Sequence, residues 1–518
     1  MIPLLMVLFL ENLLKGDVMQ DIHVHFMNYS FVKIECSDSI SMELRDYFSF
    51  EIEGARFNPR YRYGQWDGRI RLFTYENTLP IGLIKTLGIF AKNMSYSVWI
   101  DPRLLEKEKI TKEDIDSWIG SLEIYSGANK ITPHWYQSEA VFQGIHNRRR
   151  MLVLPTSAGK SLIACLLSRW YLENYEGKVL IIVPTTSLVL QMRDDFIDYR
   201  LFPFEAIHTM MSGSQKHPGE RLITVSTWQS ACKMPKEWFQ QYGMVIVDEC
   251  HKATAKNLQN IVNDMTHCQF KIGMTGSPRD GKCNALQYVG LFGDISRIVS
   301  IDRLMDEGQV TKLKINCLFL KYTDDECASI KGKEYAEEIK YITSHGRRNK
   351  FVCNLALKLA KKNENVFLMF RNTKHGKMMC EALQKVYDKV YYIDGGVKTT
   401  ERDEFKKMAE GETGIICVAS YGVFSTGVSI KNLHHVIFGH PVKESTIVRQ
   451  SIGRALRKHG SKDIAYVWDI IDLLGIKTKS KTAKKQYSHL NYATKHGLER
   501  VRVYNEDKFD YSTKTIEI

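Results

Sequence analysis

Short apolar runs alternate with longer helical patterns along most of the chain. A short apolar run bounded by turn residues is typical of a strand buried in a parallel sheet, and a helical pattern between two runs supplies the connection. One set of predicted strands comprises Met151–Leu154, Val179–Val183, Leu222–Ser226, Met244–Val247 and Lys271–Met274. A second set comprises Val366–Phe370, Val390–Ile393, Gly414–Ala419, His435–Gly439 and Ile464–Ile470. The repeated pattern predicts an α/β fold with two tandem parallel-sheet domains and a cleft between them.

Before residue 101 the strands and helices do not alternate in this regular way. The predicted strands there are Ile22–Phe26, Phe31–Cys36 and Ser97–Ile100, and the predicted helices are Ser39–Phe48 and Leu83–Asn93. This pattern predicts a small α+β domain. A connector helix is expected from Thr111 to Leu122, with Thr111 as its N-cap, and a final strand at Val501–Tyr504.

Composition and charge narrow the class of protein. The chain has 518 residues and a formal net charge of +13, which indicates either a solubilising surface or a polyanionic partner such as nucleic acid. The 11 cysteines include no Cys-x-x-Cys pair, so a disulfide framework or zinc site is not expected and a reducing cytoplasm fits best. The apolar residues 1–14 lack the features of a secretory signal and are too short to span a membrane, so no membrane contact is expected.

The stretch Met151–Leu162 predicts a phosphate-binding loop. An apolar strand leads into a small-residue turn and then a helix that opens with Gly159-Lys160-Ser161. Amide groups of such a turn and the positive end of the helix dipole favour a phosphate, Lys160 is expected to reach the β- and γ-phosphates, and the Ser161 hydroxyl to bind Mg²⁺. The match is partial, because Leu154 stands where the usual pattern has Gly. The predicted nucleotide-binding residues here are Thr156, Ser157, Ala158, Gly159, Lys160 and Ser161.

Two adjacent carboxylates, Asp248 and Glu249, follow the apolar run Val245-Ile246-Val247. The carboxyl ends of strands are where open α/β sheets bind their ligands. We assign Asp248 to Mg²⁺ and Glu249 to polarising a water for in-line attack on the γ-phosphate. An Asp-Glu pair alone is more often a solvated strand end, but its position after a phosphate loop favours catalysis.

The stretch from Arg56 to Phe73 interleaves five arginines and five aromatic residues with one acid. Arginine matches phosphate oxygens and aromatic faces stack on bases, so this stretch predicts nucleic-acid contact. A compatible alternative is a twisted hairpin with Trp66-Asp67-Gly68 as its turn. The residues proposed to bind nucleic acid are Arg56, Arg60, Arg62, Trp66, Arg69 and Arg71.

A second basic stretch lies near the C-terminus. It is either a flexible phosphate-binding arm or a solvated helix face, and the sequence does not decide between them. Its lysines are Lys477, Lys479, Lys481, Lys484 and Lys485.

In their order along the chain, the phosphate loop and Asp248-Glu249-Cys250-His251 resemble motifs I and II of superfamily 2 helicases. The resemblance implies that Gln137 reads adenine and that Thr185 and Thr227 contact the nucleic-acid strand. Val183-Pro184-Thr185-Thr186 with Gln191 resembles motif Ia, and Ser226-Thr227-Trp228-Gln229 resembles the next strand-contacting motif. Thr275-Gly276-Ser277-Pro278 resembles motif III, and Phe367-Leu368-Met369-Phe370 resembles motif IV.

Gln450-Ser451-Ile452-Gly453-Arg454-Ala455-Leu456-Arg457 resembles motif VI. Offsets of four and three are expected to place Gln450, Arg454 and Arg457 on one helical face. By resemblance, the two arginines act as arginine fingers on the γ-phosphate. Motif V is looser: Gly427 keeps the turn and is a nucleotide-binding candidate, whereas Ser429 stands where the family often has Asp.

Within superfamily 2, the chain resembles the bacteriophage recombination helicases closely. The similarity covers nearly everything from Met19 onward, and it includes Ile124-Tyr125-Ser126-Gly127, Gly422-Val423-Phe424-Ser425-Thr426-Gly427 and Arg457-Lys458-His459-Gly460-Ser461. It implies an ATP- and Mg²⁺-dependent DNA helicase that unwinds and branch-migrates forks, Holliday junctions and R-loops in recombination, repair and replication control. The implied partners are branched DNA, RNA–DNA hybrids and other recombination or replication proteins, and the expected state is a monomer in the host cytoplasm.

The family resemblance implies a role for each predicted domain. Two alternatives stay open from the residues alone: a duplex translocase that does not separate strands, and a nucleic-acid-binding protein that does not hydrolyse ATP. The expected division is an extension at 1–18, a small α+β DNA-binding domain with its connector at 19–125, RecA-like motor domains at 126–305 and 306–475, and a basic segment at 476–518.

Overall fold

The computed structural model describes residues 20–52, 54–250, 255–276, 285–426, 430–477 and 487–518. These residues divide into two compact units. The first comprises the chain up to residue 154 together with 159–298, and the second comprises 155–158 and 299–518. Among the described residues, no helix is both long and apolar enough to cross a membrane.

The first unit begins with the small α+β domain. Its elements are β1 (Ile22–Phe26), β2 (Phe31–Cys36), α1 (Asp38–Tyr47), β3 (Ser49–Glu51), α2 (Pro59–Arg62), β4 (Arg69–Arg71), β5 (Thr78–Pro80), α3 (Ile84–Met94) and β6 (Val98–Ile100). A mixed sheet with the strand order β5-β2-β1-β6 packs against α1 and α3. Successive side chains of a strand point to opposite faces of the sheet, and the apolar residues Ile22, Val24, Val32 and Ile34 all lie on the face that is buried in the core. The predicted strands and helices of this domain are confirmed to within two residues.

The arginine-rich stretch differs from the hairpin that its turn signal predicts. Strands β3 and β4 do pair in an antiparallel manner. The residues between them form a 3₁₀ turn at Ala55–Phe57 and then α2, so Trp66-Asp67-Gly68 leads into β4 and is not the hairpin turn. Asn58 caps α2 through its side chain, and Pro59 supplies a first helical residue that needs no N–H partner. These local signals for a helix outweigh the turn signal at Gly68.

The α+β domain is fixed to the larger sheet of the same unit by buried polar groups. Lys271 is fully buried, and its ammonium donates to Ser30 Oγ at 2.7 Å and to the Val262 carbonyl at 2.8 Å. Arg149 donates to the carbonyls of Tyr29 and Leu291. Burial, and then the nearby guanidinium, lower the pKa of Lys271 well below its usual value, and burial lowers the pKa of Arg149 to about 10. Removing these donors would leave carbonyl oxygens without their partners, so these contacts stabilise the attachment of the small domain to the sheet.

A parallel sheet with helices forms the rest of the first unit, after α4 (Lys112–Ser121) and the short pair β7 (Tyr125–Ser126) and β8 (Asn129–Lys130). Thr111 caps α4 in a capping box with Asp114, as predicted. The strands are β9 (Arg149–Val153), β10 (Lys178–Val183), β11 (Ile207–Met210), β12 (Ile223–Thr227), β13 (Tyr242–Val247), β14 (Phe270–Thr275) and β15 (Ile295–Arg297). The helices are α5 (Trp135–Asn147), α6 (Lys160–Asn174), α7 (Thr186–Asp198), α8 (Trp228–Ala231), α9 (Lys236–Phe239), α10 (Ala255–Asp264) and α11 (Ala285–Phe292).

The strand order in this sheet is β11-β12-β10-β13-β14-β9-β15, and every pairing is parallel. All its carboxyl ends therefore meet at one edge. The five predicted strands are confirmed as β9, β10, β12, β13 and β14. The two outer strands, β11 and β15, were not predicted.

The second unit is built on a second parallel sheet with the order β18-β19-β17-β20-β21-β16-β24. Its strands are β16 (Lys312–Lys321), β17 (Val366–Phe370), β18 (Val390–Ile393), β19 (Ile416–Ser420), β20 (His435–Phe438), β21 (Ile464–Leu473) and β24 (Tyr511–Glu517), and a small pair is formed by β22 (Ile476–Lys477) and β23 (Tyr487–His489). The helices are α12 (Ile301–Asp306), α13 (Asp324–Ile330), α14 (Tyr335–Ser344), α15 (Gly346–Ala360), α16 (Thr373–Gln384), α17 (Thr399–Gly411), α18 (Tyr421–Thr426), α19 (Ser445–Ala455) and α20 (Tyr492–Glu506). The five predicted strands are confirmed, and the prediction of two tandem parallel sheets is correct.

The C-terminal prediction was wrong in one element. Val501–Tyr504, predicted as a strand, belongs to helix α20. The strand that follows is β24, which pairs in parallel with β16 at the edge of the second sheet. The end of the chain is thus built into this unit.

Candidate functional site

The predicted phosphate loop lies between β9 and α6. Gly159 is the N-cap of α6 and has a φ of 74°, which is the left-handed region that glycine adopts without strain. The amide of Leu154 donates to the Thr275 carbonyl at 2.9 Å and so fixes the start of the loop to the end of β14. The first turn of α6 opens with Lys160 and Ser161, as the motif requires. A helix N-terminus after such a turn favours an anion.

Gln137 lies beside this loop. A Cβ atom added to Gly159 would lie 2.2 Å from Gln137 Nε2, so the glycine leaves room for the amide. Gln137 is buried, and its Oε1 accepts a hydrogen bond of 2.9 Å from the amide of His134. The residue predicted to read adenine is therefore held against the predicted phosphate loop.

The two acids follow β13, separated from β9 in the sheet by β14. The amide of Asp248 donates to the Ile182 carbonyl, and Asp248 Oδ1 accepts from the amide of Glu249, both at 2.9 Å. Glu249 has a φ of 48°, in the left-handed region, which costs a non-glycine residue about 1–3 kcal/mol and is over-represented at functional sites. Its Oε1 lies 3.6 Å from Lys160 Nζ, and only 12% and 11% of the two side chains are exposed. The predicted phosphate-binding cation and the predicted water-polarising carboxylate are thus adjacent.

Tyr199 is a neighbour of the loop that sequence reasoning missed. Its hydroxyl lies 2.9 Å from Ser161 Oγ, so the hydroxyl predicted to bind Mg²⁺ has a hydrogen-bonding partner. Burial raises the pKa of Tyr199 and keeps the phenol protonated. The residue follows α7, well away from any recognised motif, and no sequence pattern identifies it.

Thr185 and Thr227 come together at the ends of adjacent strands, since Val183 of β10 pairs with Thr227 of β12. Both hydroxyls also cap helices: Thr185 Oγ1 accepts from the amide of Leu188, and Thr227 Oγ1 from that of Ser230. Thr227 is almost fully buried. The helix N-termini that these residues cap lie at the same sheet edge as Asp248.

Motif VI lies in α19, and one prediction about it is wrong. Gln450 and Arg454 lie one turn apart in the helix, and both are buried. The helix ends at Ala455 with Leu456 as its C-cap, so Arg457 follows the helix and does not share its face. Thr311 donates to the carbonyls of Leu456 and Arg457, which directs the chain away from the helical path.

The arginine-rich stretch divides into two groups. Arg69 donates to Ser49 Oγ, Arg71 forms a 2.6 Å ion pair with Asp67, and the Trp66 indole donates to the Arg69 carbonyl. All three residues are only partly exposed; Arg69 links β4 to β3, and the other two contacts order the approach to β4. Arg56, Arg60 and Arg62 are exposed and stand among the exposed rings of Phe57, Tyr61 and Tyr63. The second group has the exposed cationic and aromatic surface that nucleic-acid contact needs.

Some predicted residues lie outside the described parts of the chain. They are residues 1–18, His251, Ser277, Pro278, Gly427, Ser429, Lys479, Lys481, Lys484 and Lys485.

Three family models match consecutive parts of the chain. Residues 21–101 match the N-terminal domain of DNA helicase UvsW, residues 129–280 match the res subunit of type III restriction enzymes, and residues 347–459 match the helicase conserved C-terminal domain. The matches cover the small α+β domain and most of each parallel sheet.

Relatives match over longer stretches. The ATP-dependent DNA helicase uvsW of Enterobacteria phage T4 is 54% identical over 501 residues, which is 96% of this chain and 100% of that protein. The DNA 3′-5′ translocase XPB2 of Sulfurisphaera tokodaii is 26% identical over 68% of this chain and 84% of its own length. The crystal structure of T4 UvsW is 53% identical, covers 96% of this chain and 99% of its own, and has a TM-score of 0.53.

Proposed function

The chain belongs to the UvsW family of ATP-dependent DNA helicases, and we propose that it unwinds and branch-migrates branched DNA. The proposed substrates are forks, Holliday junctions and R-loops, the last of which contain an RNA–DNA hybrid. The proposed setting is recombination, repair and replication control in the cytoplasm of a phage host.

One observation carries the hydrolytic part of the proposal. Lys160 Nζ, in the first turn of α6, and Glu249 Oε1, after β13, lie 3.6 Å apart at the carboxyl edge of the first sheet. A cation for the phosphates and a carboxylate for the attacking water are therefore side by side. Both side chains are about nine-tenths buried, and charges act more strongly there than in bulk water.

We assign the remaining nucleotide contacts as follows. Ser161 and Asp248 would hold Mg²⁺, since hydroxyl and carboxylate oxygens are the ligands that this cation prefers, and the ion would neutralise phosphate charge. Gln137 would read adenine. Gln450, Arg454 and Arg457 of motif VI would act on the charge of the γ-phosphate.

The first experiment measures strand displacement from a forked duplex and ATP turnover on single-stranded, duplex, forked and four-way DNA and RNA–DNA hybrids. We expect displacement that requires ATP, and faster turnover on forked and four-way DNA than on linear duplex. Displacement of a third strand from a triplex, without separation of the duplex, would instead identify a translocase. Absence of turnover on every substrate would contradict hydrolysis altogether.

We propose that Arg56, Arg60 and Arg62 contact the DNA away from the strand that the motor tracks. Replacing all three with Ala should weaken binding of forked DNA. It should also make the slope of log affinity against log salt shallower by roughly 0.9 for each duplex phosphate that the variant no longer neutralises, because fewer counterions are released. Fork unwinding should fall more steeply than ATP turnover on saturating single strands, since the nucleotide-binding residues are unchanged.

The matched control replaces three exposed lysines of the same unit, Lys92, Lys107 and Lys109, with Ala. It removes the same charge from another surface, and we expect a smaller change in slope. Circular dichroism must show that both variants are folded. An arginine variant that is folded and keeps the wild-type slope and fork activity would rule out these contacts.

A further inference from the structure

A cluster of cations and rings lies at the carboxyl ends of three adjacent strands in the second unit. Arg371 follows β17, and Lys443 comes shortly after β20, which pairs with β17. The start of helix α20 lies at the end of β21, the next strand, because Thr494 Oγ1 donates to the Asp472 carbonyl at 2.7 Å. This edge is where open α/β sheets bind their ligands.

Buried polar contacts fix the start of α20 in place. Glu338 of α14 is 2% exposed, and its carboxylate accepts from the amides of Tyr492 and Ala493 at 2.9 and 2.6 Å and from Asn491 Nδ2 at 2.8 Å. A negative charge at a helix N-terminus also interacts favourably with the helix dipole. The first turn of α14 and the start of α20 are thus joined by hydrogen bonds at this edge.

A second buried pair fixes the middle of α20. Arg500 donates to Asp469 of β21 at 2.7 Å and, through Nη1, to the Val442 carbonyl at 2.6 Å. Since Val442 precedes Lys443, this one guanidinium positions both the helix and the loop that carries the exposed lysine. The backbone that carries these residues is therefore held in place.

Three rings from the two helices lie together at this edge. The Tyr335 ring centroid is 5.8 Å from that of Tyr492 and 5.3 Å from that of His496. Tyr492 is 39% exposed, and Lys495 Nζ lies 5.5 Å from its ring centroid. Burial, and then Lys443, Arg500 and Arg371, lower the pKa of His496 to about 4, so its ring is neutral at pH 7.

Cations lie close to these rings, together with the carboxylates of Glu338 and Glu444. Arg371, Lys443 and Lys495 are exposed, and of these Arg371 pairs with Glu444 at 3.5 Å. Base stacking on rings combined with phosphate binding by nearby cations is how proteins hold single strands without reading their sequence. A duplex keeps its base faces inside the stack, so it would use the cations but not the rings.

We propose that Tyr335, Arg371, Lys443, Tyr492, Lys495 and His496, here called the C-terminal platform, bind single-stranded nucleic acid. The inference rests on the proposed function, since it gives the second motor unit its own contact with the separated strand. Tyr335 and Tyr492 stack on bases, and Lys443 and Lys495 bind the flanking phosphates.

The test measures the affinity of the full chain for fluorescein-labelled oligothymidylate by anisotropy. Stacking contributes roughly 1–3 kcal/mol per base, so Tyr335→Ala with Tyr492→Ala should weaken binding about tenfold or more, with little change in salt dependence. Tyr335→Phe with Tyr492→Phe keeps both rings and should bind as the wild type does. This second pair separates stacking from loss of fold, which thermal unfolding also monitors.

The charge arm of the test replaces Lys443 and Lys495 with Ala. The salt slope should become shallower by roughly 0.7 for each single-strand phosphate that the variant no longer neutralises. The matched control replaces Lys406 and Lys407, two exposed lysines of α17, and should leave the slope nearly unchanged.

Three outcomes would overturn the platform. They are wild-type affinity in the folded tyrosine-to-alanine variant, equal weakening by the phenylalanine pair, and equal weakening of binding to duplex DNA, which would indicate a duplex partner. Strand displacement by the wild type is measured separately. If it fails while the tyrosine variant still binds single strands more weakly, the platform stands and the helicase proposal is at fault.

Discussion

Lys160→Ala is expected to reduce ATP turnover by about 10²–10³-fold, the range seen when one preorganised charge or donor is removed from a reaction site. The ammonium lies on the first turn of α6, beside Glu249 and after the left-handed Gly159. Its removal takes the positive charge from the predicted phosphate position and changes the surroundings of Glu249. Steady-state phosphate release on saturating single-stranded DNA measures the effect.

DNA binding by this variant should stay close to that of the wild type, because the proposed binding surfaces are elsewhere. Lys236→Ala is a suitable control, since this lysine belongs to the same unit and its ion pair with Asp264 is at the surface. Turnover by Lys160→Ala within twofold of the wild type would remove the loop from the mechanism.

The buried strands could be predicted from sequence because their apolar composition indicates that they are buried. Val179–Val183 and Val366–Phe370 are apolar throughout, as strands covered on both faces must be. The edge strands do not carry this signal, and neither does β16, which lies inside the second sheet but begins with alternating exposed and buried residues and was not predicted. β24 is largely exposed and polar, and β15 has three residues, so their pairing partners and not their composition decide that they form strands.

The last part of helix α20, Val501–Tyr504, was predicted as a strand for a different physical reason. Val501 and Val503 alternate with polar residues, which suggests a period of two. The buried positions include Gly497, Arg500 and Tyr504, at helical spacing. Arg500 hides this pattern, since a charged residue is counted as polar although this one is buried, with its charge paired to Asp469.

The candidate site likewise contains residues that could be predicted from sequence and contacts that could not. Residues within contiguous motifs, such as Lys160 and Asp248, could be placed from sequence because each motif includes its own strand end and turn. The Ser161–Tyr199 contact and the Glu338 cap on α20 could not, because each joins residues far apart in the chain. The position of Arg457 depends on where α19 ends, and a hydrogen bond from Thr311 sets that boundary.

Mutations of the two adjacent acids, Asp248 and Glu249, should have different effects on ATP turnover and on nucleotide binding. Glu249→Gln keeps the size of the side chain, but it removes the charge that polarises water and replaces one acceptor oxygen with an NH₂ donor. Turnover should therefore fall about 100-fold or more while nucleotide affinity is retained. Asp248→Asn removes a charged oxygen ligand and should instead weaken binding of the magnesium–nucleotide complex.

Equilibrium titration with a fluorescent ATP analogue, with and without Mg²⁺, distinguishes the two roles. For Glu249→Gln, we expect the wild-type gain in affinity on adding Mg²⁺, and for Asp248→Asn a much smaller gain. Residue 249 has a left-handed backbone in the wild type, and since both substitutions keep the size of the side chain, we expect any effect of strain to be common to both variants. Normal magnesium–nucleotide binding by Asp248→Asn together with weak binding by Glu249→Gln would reverse the assignment and make Glu249, the neighbour of Lys160, the metal ligand.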